Sequence, residues 1–86
     1  MERYEIVFNK SVYKDLRRLP KSDIKRILAR IDSLADNPRP PGAEKLTNED
    51  KYRIRQGNYR ILYRIEDMII TVTIVKVGHR REVYRR

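Results

Sequence analysis

The residues best equipped for chemistry in this 86-residue chain lie in its second half. Arg53, Arg55, Arg60 and Arg64 are spaced within two neighbouring runs, and Arg80 and Arg81 follow near the C-terminus. Guanidinium groups bind phosphate oxygens through paired, charge-assisted hydrogen bonds. Such a set suits a nucleic-acid backbone, and it suits stabilising the extra negative charge of a phosphate under attack. Phosphodiester cleavage also needs a proton taken from the attacking 2′-oxygen and one given to the leaving 5′-oxygen. Arginine does not lose its proton in proteins, so another residue must carry these transfers. His79 is the sole histidine, and imidazole can both take and give a proton near neutral pH. Tyr84 can stack on a base or pass a proton, and Glu44 is a carboxylate just ahead of the arginine-bearing runs.

The formal charge of +9 is unevenly distributed. Residues 1–50 carry 11 basic and 9 acidic side chains, whereas residues 51–86 carry 10 and 3. A solvated surface kept for solubility needs no such segregation, but a polyanion-binding face does. There is no cysteine, which excludes a disulfide or thiolate-metal framework. No acidic cluster suggests a Mg²⁺ site, so neither metal nor cofactor is expected. Nor is there a serine-histidine-aspartate set or a phosphate-cradling glycine loop. The charged N-terminus and the lack of an apolar run of about 20 residues point to a cytoplasmic chain with no membrane partner.

These groups must be positioned by a small scaffold, expected to be one domain over residues 1–86. Tyr4–Phe8 reads as a strand. Asn9 suits a helix N-cap, and Val12, Leu16 and Leu19 follow at helical spacing until Pro20 interrupts them. Ile24, Ile27, Leu28, Ile31, Leu34 and Ala35 form the apolar stripe of a second helix, stopped at Asn37-Pro38. The stiff segment Pro38–Gly42 then leads into three strand candidates: Lys51–Gln56, Tyr59–Ile65 and Met68–Val77. The expected class is α+β: an N-terminal strand and a helical hairpin packed on a twisted antiparallel sheet, in the order β-α-α-β-β-β. A short extra strand is expected through Arg81–Tyr84.

Register sharpens the picture. A four-residue connection at Gln56–Tyr59 pairs Arg55 with Arg60 and Arg53 with Leu62. A two-residue turn at Glu66-Asp67 sets Ile65 against Met68. Tyr59, Ile61, Tyr63, Ile65, Met68, Ile70, Val72 and Ile74 then share an apolar face for the helices. Arg53, Arg55, Arg60 and Arg64 fall together on the opposite face, beside Leu62, Thr71 and Thr73. Four like charges on one sheet face repel one another and call for an anionic partner.

Glu44-Lys45-Leu46, Tyr52-Arg53-Ile54-Arg55, Tyr59-Arg60-Ile61-Leu62-Tyr63 and Val77-Gly78-His79-Arg80-Arg81-Glu82-Val83-Tyr84 resemble the RelE family, the toxins of type II toxin–antitoxin modules in the RelE/ParE superfamily. The resemblance covers almost the whole chain and implies a ribosome-dependent endoribonuclease. Such a toxin cuts mRNA in the A site of the 70S ribosome by attack of the 2′-oxygen on the adjacent phosphate. By position it implies phosphate-binding roles for Arg53, Arg55, Arg60 and Arg80, with Arg64 and Arg81 beside them, and base stacking for Tyr84. It further implies a cognate antitoxin that wraps and neutralises the toxin, and operator DNA as a partner of the toxin–antitoxin complex alone. Familiar RelE toxins carry lysines where this chain has Arg53 and Arg55, which removes one proposed base. YoeB-like relatives use an upstream glutamate and a C-terminal histidine, the places of Glu44 and His79. The alternative on the same fold is a ParE-like, non-nuclease inhibitor of DNA gyrase, and fold alone does not separate the two.

Overall fold

The computed structural model describes residues 3–46 and 50–79. Two helices pack on one face of a five-stranded sheet. In chain order the elements are β1 (Glu5–Phe8), α1 (Lys10–Arg17), α2 (Lys21–Ser33), β2 (Glu44–Lys45), β3 (Lys51–Gln56), β4 (Tyr59–Glu66) and β5 (Thr71–His79). The strand order across the sheet is β1-β5-β4-β3-β2. Strands β2 to β5 are mutually antiparallel, as expected, whereas β1 joins the far edge parallel to β5, so the sheet is mixed. The helices between β1 and the later strands supply the long connection that a parallel pair requires.

Local chemistry explains the helix boundaries. Asn9 occupies the N-cap of α1 with extended backbone angles, but its side chain makes no capping bond. Its backbone N–H instead donates to the Ile74 carbonyl at 3.0 Å, so the helix starts where β1 leaves the sheet. Pro20 stands just before α2, where its fixed φ is harmless and its missing donor is not needed. Beyond Ser33 the chain continues as turns before Pro38. Of the apolar stripe, Ile27, Ile31, Leu34 and Ala35 are buried, Ile24 is half-buried and Leu28 lies at the surface.

The core joins Val12 of α1 and the α2 stripe to Ile54, Ile61, Tyr63, Ile65, Val72, Ile74 and Val77 of the sheet. Tyr4, Ile6, Phe8, Tyr52 and Tyr59 pack around it. Tyr63 is fully buried, and its hydroxyl donates to the Pro38 carbonyl at 2.8 Å. That bond fastens the proline-rich connector to the middle of β4. Arg39 adds a second fastening, donating to both oxygens of Asp67 (3.3 and 2.9 Å) and to the Tyr52 hydroxyl (3.1 Å). Tyr4 donates to the same Asp67 carboxylate at 2.6 Å.

The β4–β5 connection differs from the expected two-residue turn. A single 3₁₀ turn, Asp67–Ile69, is followed by Ile70 in the left-handed region at φ 50°, and pairing resumes at Glu66 with Thr71. Met68 and Ile69 are therefore exposed, and Ile65 faces Val72 rather than Met68. The partner is displaced by four residues, an even number, so Val72 and Ile74 keep their expected face. A second departure lies within β5. Leu62 pairs with Lys76 but Tyr63 pairs with Ile74, so Val75 is the extra residue of a β-bulge. Alternation resumes after the bulge with its sense reversed. Val77 enters the core, and Gly78 lies opposite Arg60.

Candidate nucleic-acid interface

The hairpin β3–β4 places the arginines. Gly57, at φ 61°, is the first residue of the tight turn Gly57-Asn58, a position that requires positive φ in a type II′ hairpin. The turn is shorter than the expected connection but sets the same register: Arg55 opposite Arg60 and Arg53 opposite Leu62. Lys51 lies opposite Arg64. Since paired residues share a face, Arg53, Arg55, Arg60 and Arg64 sit together on the face away from both helices. Lys51 joins them by parity, and Lys76 does so by its pairing with Leu62. Sequence reasoning passed over both lysines. The parity of Lys51 with Arg53 was available to find it, but the side of Lys76 depends on the bulge.

The face is graded rather than uniform. Arg55 and Arg64 are exposed, Arg53 is half-buried, and Arg60 retains 8% of its surface. An arginine held so closely keeps its guanidinium in a narrow range of positions, which suits preorganised charge stabilisation. At the other end of the face, Glu5, Thr71 and Glu66 pair across β1, β5 and β4. The acidic end therefore adjoins the β4–β5 turn, and the arginines run toward the β3–β4 turn.

Glu44 lies on β2 directly opposite Arg53, and the two side chains form an ion pair. The hydrogen bond and charge of Arg53, helped by Arg55 and Arg60, hold the Glu44 carboxyl below the usual glutamate range. Glu44 is thus an ionised acceptor at the rim of the arginine face. A cleft of about 290 Å³ opens there, lined by Arg30, Gly42, Glu44, Arg53, Ile54 and Arg55. Arg30 comes from α2, and nothing in the sequence links it to this cleft.

His79 is placed elsewhere. Its strand partner is Tyr59, which faces the helices, and the two rings meet edge to face with centroids 6.1 Å apart. The Tyr59 hydroxyl donates to Asp23 of α2 at 2.7 Å, and that bond, with burial, pushes the phenol above its ordinary range. Asp23, Arg26, Tyr59 and His79 line a second cleft of about 260 Å³ beside the β3–β4 turn. The two candidate proton carriers are thus separated: Glu44 shares the arginine face, and His79 belongs to the opposite one. Arg80, Arg81 and Tyr84, together with the short strand expected through them, lie outside the described residues. Among the described residues no three His, Asp or Glu side chains converge as a metal site, and no helix is long and apolar enough to cross a membrane.

Comparison with known proteins bears on this arrangement. The model of the ParE toxin family, of type II toxin–antitoxin systems, matches residues 6–84. Toxin RelG of Mycobacterium tuberculosis is 38% identical over 89 aligned positions, covering 96% of this chain and 98% of the relative. Among solved structures, the RelBE2 toxin–antitoxin complex of Mycobacterium tuberculosis superposes with a TM-score of 0.83 at 30% identity, over 92% of this chain and 93% of its counterpart. The archaeal RelE–RelB complex of Pyrococcus horikoshii gives a TM-score of 0.78 at 31% identity, over 91% and 96%. The family model takes its name from ParE, while these relatives carry RelE-type names and match nearly end to end. The chain therefore belongs to the RelE/ParE superfamily of type II toxin–antitoxin toxins, as a RelE-like member.

Proposed function

We propose that this toxin is a ribosome-dependent mRNA endoribonuclease, cutting in the A site, and that a cognate antitoxin neutralises it. The observation that carries the reading is the single face on which Arg53, Arg55, Arg60 and Arg64 meet, with Glu44 paired to Arg53 at its rim. Arg55 and Arg64, at the surface, engage the flanking phosphates, while Arg53 and the enclosed Arg60 hold the scissile one. The 2′-oxygen attacks the adjacent phosphorus, the bond to the 5′-oxygen breaks, and a 2′,3′-cyclic phosphate forms. Glu44 accepts the 2′-proton. Its depressed pKa makes it a weak base while Arg53 is bound to it, and a phosphate that draws Arg53 away restores its basicity. The proton for the leaving 5′-oxygen is assigned to the Tyr84 hydroxyl, since His79 stands with Tyr59 on the opposite face. Arg80 and Arg81 extend the basic surface, and Tyr84 stacks on a base.

The solved complexes of RelE-like toxins with their antitoxins support an antitoxin partner here, one whose acidic segment would compete with RNA for the arginines. The site is read as metal-independent and the protein as cytoplasmic and of one domain; operator DNA is a partner of the toxin–antitoxin complex alone. Primer extension on ribosome-bound mRNA tests the reading. Discrete cuts at A-site codons are expected from the wild type, while Arg60→Ala and Tyr84→Phe lose cleavage and growth inhibition yet still bind antitoxin. Intact mRNA with a DNA-damage response would assign the chain to gyrase inhibition instead. Full toxicity of both variants would remove the site assignment.

A further inference from the structure

Among the described residues, strand β5 has no strand neighbour along part of one edge. Its parallel partner β1 pairs only from Glu5 to Phe8, opposite Thr71 to Ile74, and then turns away into α1. From Val75 onward that edge meets helix rather than strand. Helix α1 packs against it and provides side chains in place of a ladder. Ser11 donates from its hydroxyl to the Val75 carbonyl at 3.4 Å, and Asp15 accepts the Val77 backbone N–H at 3.1 Å. The Asp15 side chain is only 17% exposed, so the contact is sheltered from water. A hydrogen bond to a carboxylate is stronger than a neutral one, and at this place it falls two residues past the bulged Val75.

We propose that Asp15 is a positioning residue for the arginine face, pinning the bulge of β5 through the Val77 amide. The bulge decides which side of the sheet each later residue occupies. With it, Val77 packs in the core, Gly78 lies opposite Arg60 and His79 faces Tyr59. Without it, strict alternation from Ile74 would turn Lys76 and Gly78 inward and put Val77 and His79 among the arginines. Gly78 brings no side chain to its place beside Arg60, so the guanidinium is not crowded from β5. Asp15 therefore acts at a distance from phosphate, by holding the β5 backbone that lies opposite Arg60. Its ion pair with Lys76, at 3.9 Å and with Lys76 45% exposed, is a minor contribution beside the amide bond.

The catalytic part of this proposal rests on the nuclease reading, and the test separates the two. Asp15→Leu removes the acceptor at similar size, whereas Asp15→Asn retains a carbonyl oxygen for the Val77 N–H and loses the charge. Each full-length variant is assayed for cleavage of mRNA on programmed ribosomes, and Val77 amide exchange is followed by NMR. Misplacement of catalytic groups by about 1 Å costs on the order of 10²-fold. Asp15→Leu is expected to lose kcat on that scale with KM near the wild type and with faster Val77 exchange, and Asp15→Asn to recover most of both. Wild-type turnover in Asp15→Leu, or equal loss in both variants, overturns the proposal. If Asp15→Leu does not fold, Asp15→Asn decides: near-wild-type kcat and a protected Val77 amide support it, and loss of both overturns it. A wild type that leaves ribosome-bound mRNA intact refutes the nuclease reading. In that case the exchange of Val77 in Asp15→Leu alone decides the positioning claim, faster exchange supporting it and unchanged exchange overturning it.

Discussion

Replacing Tyr63 by phenylalanine removes one oxygen from the middle of the protein. The residue is fully buried, and its hydroxyl is a donor to the carbonyl of buried Pro38. Phenylalanine keeps the packing of the ring, including its stack on Tyr52 with centroids 5.8 Å apart. What is lost is the bond, and the carbonyl is left without that donor in the interior, at a cost of about 1–3 kcal/mol. A chain of 86 residues has an unfolding entropy near 0.18 kcal/mol/K at about 2.1 cal/mol/K per residue. The expected fall in Tm is therefore about 6–17 °C, read by thermal unfolding monitored by circular dichroism. The same bond fastens the connector that leads to Glu44, so cleavage should weaken at temperatures where the variant is still folded. Alkaline pH supplies an independent signature. Burial pushes the Tyr63 phenol up to about 12, above its unfolded value of about 10. The folded state then holds more protons than the unfolded one between those values, so this contribution is full below pH 10 and lost as pH rises through 12. Tyr63→Phe should show a shallower loss of stability over that range. A fall in Tm below about 2 °C, with an unchanged alkaline profile, would refute the claim that this hydroxyl secures the connector.

Other perturbations test the site and its support. Glu44→Gln should lower kcat by about 10²–10⁴-fold with little change in RNA binding, since a positioned general base contributes on that scale. With its pKa held low by Arg53, Glu44 of the free toxin stays ionised on lowering the pH from 7 to about 5, so kcat/KM, which reports the free enzyme, should show no loss from this group over that interval. A fall within that interval would refute Glu44 as the base. Arg55→Ala should remove about one phosphate contact, reducing the slope of log affinity against log salt by about 0.7 for single-stranded RNA in a filter-binding titration. Asp67→Asn should reduce stability near neutral pH, because Arg39 and Tyr4 both donate to this carboxylate and hold its pKa low. That contribution is present above the unfolded aspartate value of about 3.9 and disappears as pH falls through the lower folded value. Denaturant titrations should therefore separate wild type from variant at pH 7, with the difference shrinking in acid.

Much of the site could be read before any coordinates. Arginines at 53, 55, 60 and 64, around a short connection containing Gly57, share a face for any hairpin that preserves the pairing of 55 with 60. Strand periodicity of two then does the rest. The apolar stripes of α2 and β4 were equally plain, since burial demands them. The β4–β5 turn was not, because Glu66-Asp67 has ordinary turn chemistry while the observed turn exposes Met68 and strains Ile70 into left-handed geometry. No local propensity favours an isoleucine there; the pairing of β5 with both β1 and β4 requires it. The two-residue strand β2 was likewise hidden. It is too short to show a period, and it exists through its pairing with β3.

Sequence by itself determined which residues could bind phosphate, that they would fall on one side of a hairpin, and that helices would cover the other. These follow from side-chain chemistry and from the periods of local backbone structure, which depend on nearest neighbours. Tertiary structure decided the parallel placement of β1, the ion pair of Glu44 with Arg53, and the arrival of Arg30 at the cleft. It also decided that His79 stands with Tyr59 rather than with the arginines. That outcome turns on one extra residue in β5 and on a carboxylate 62 positions away in the chain that receives its freed amide. Alternation along a strand is local, but the place where it breaks is fixed by whatever element packs against its edge.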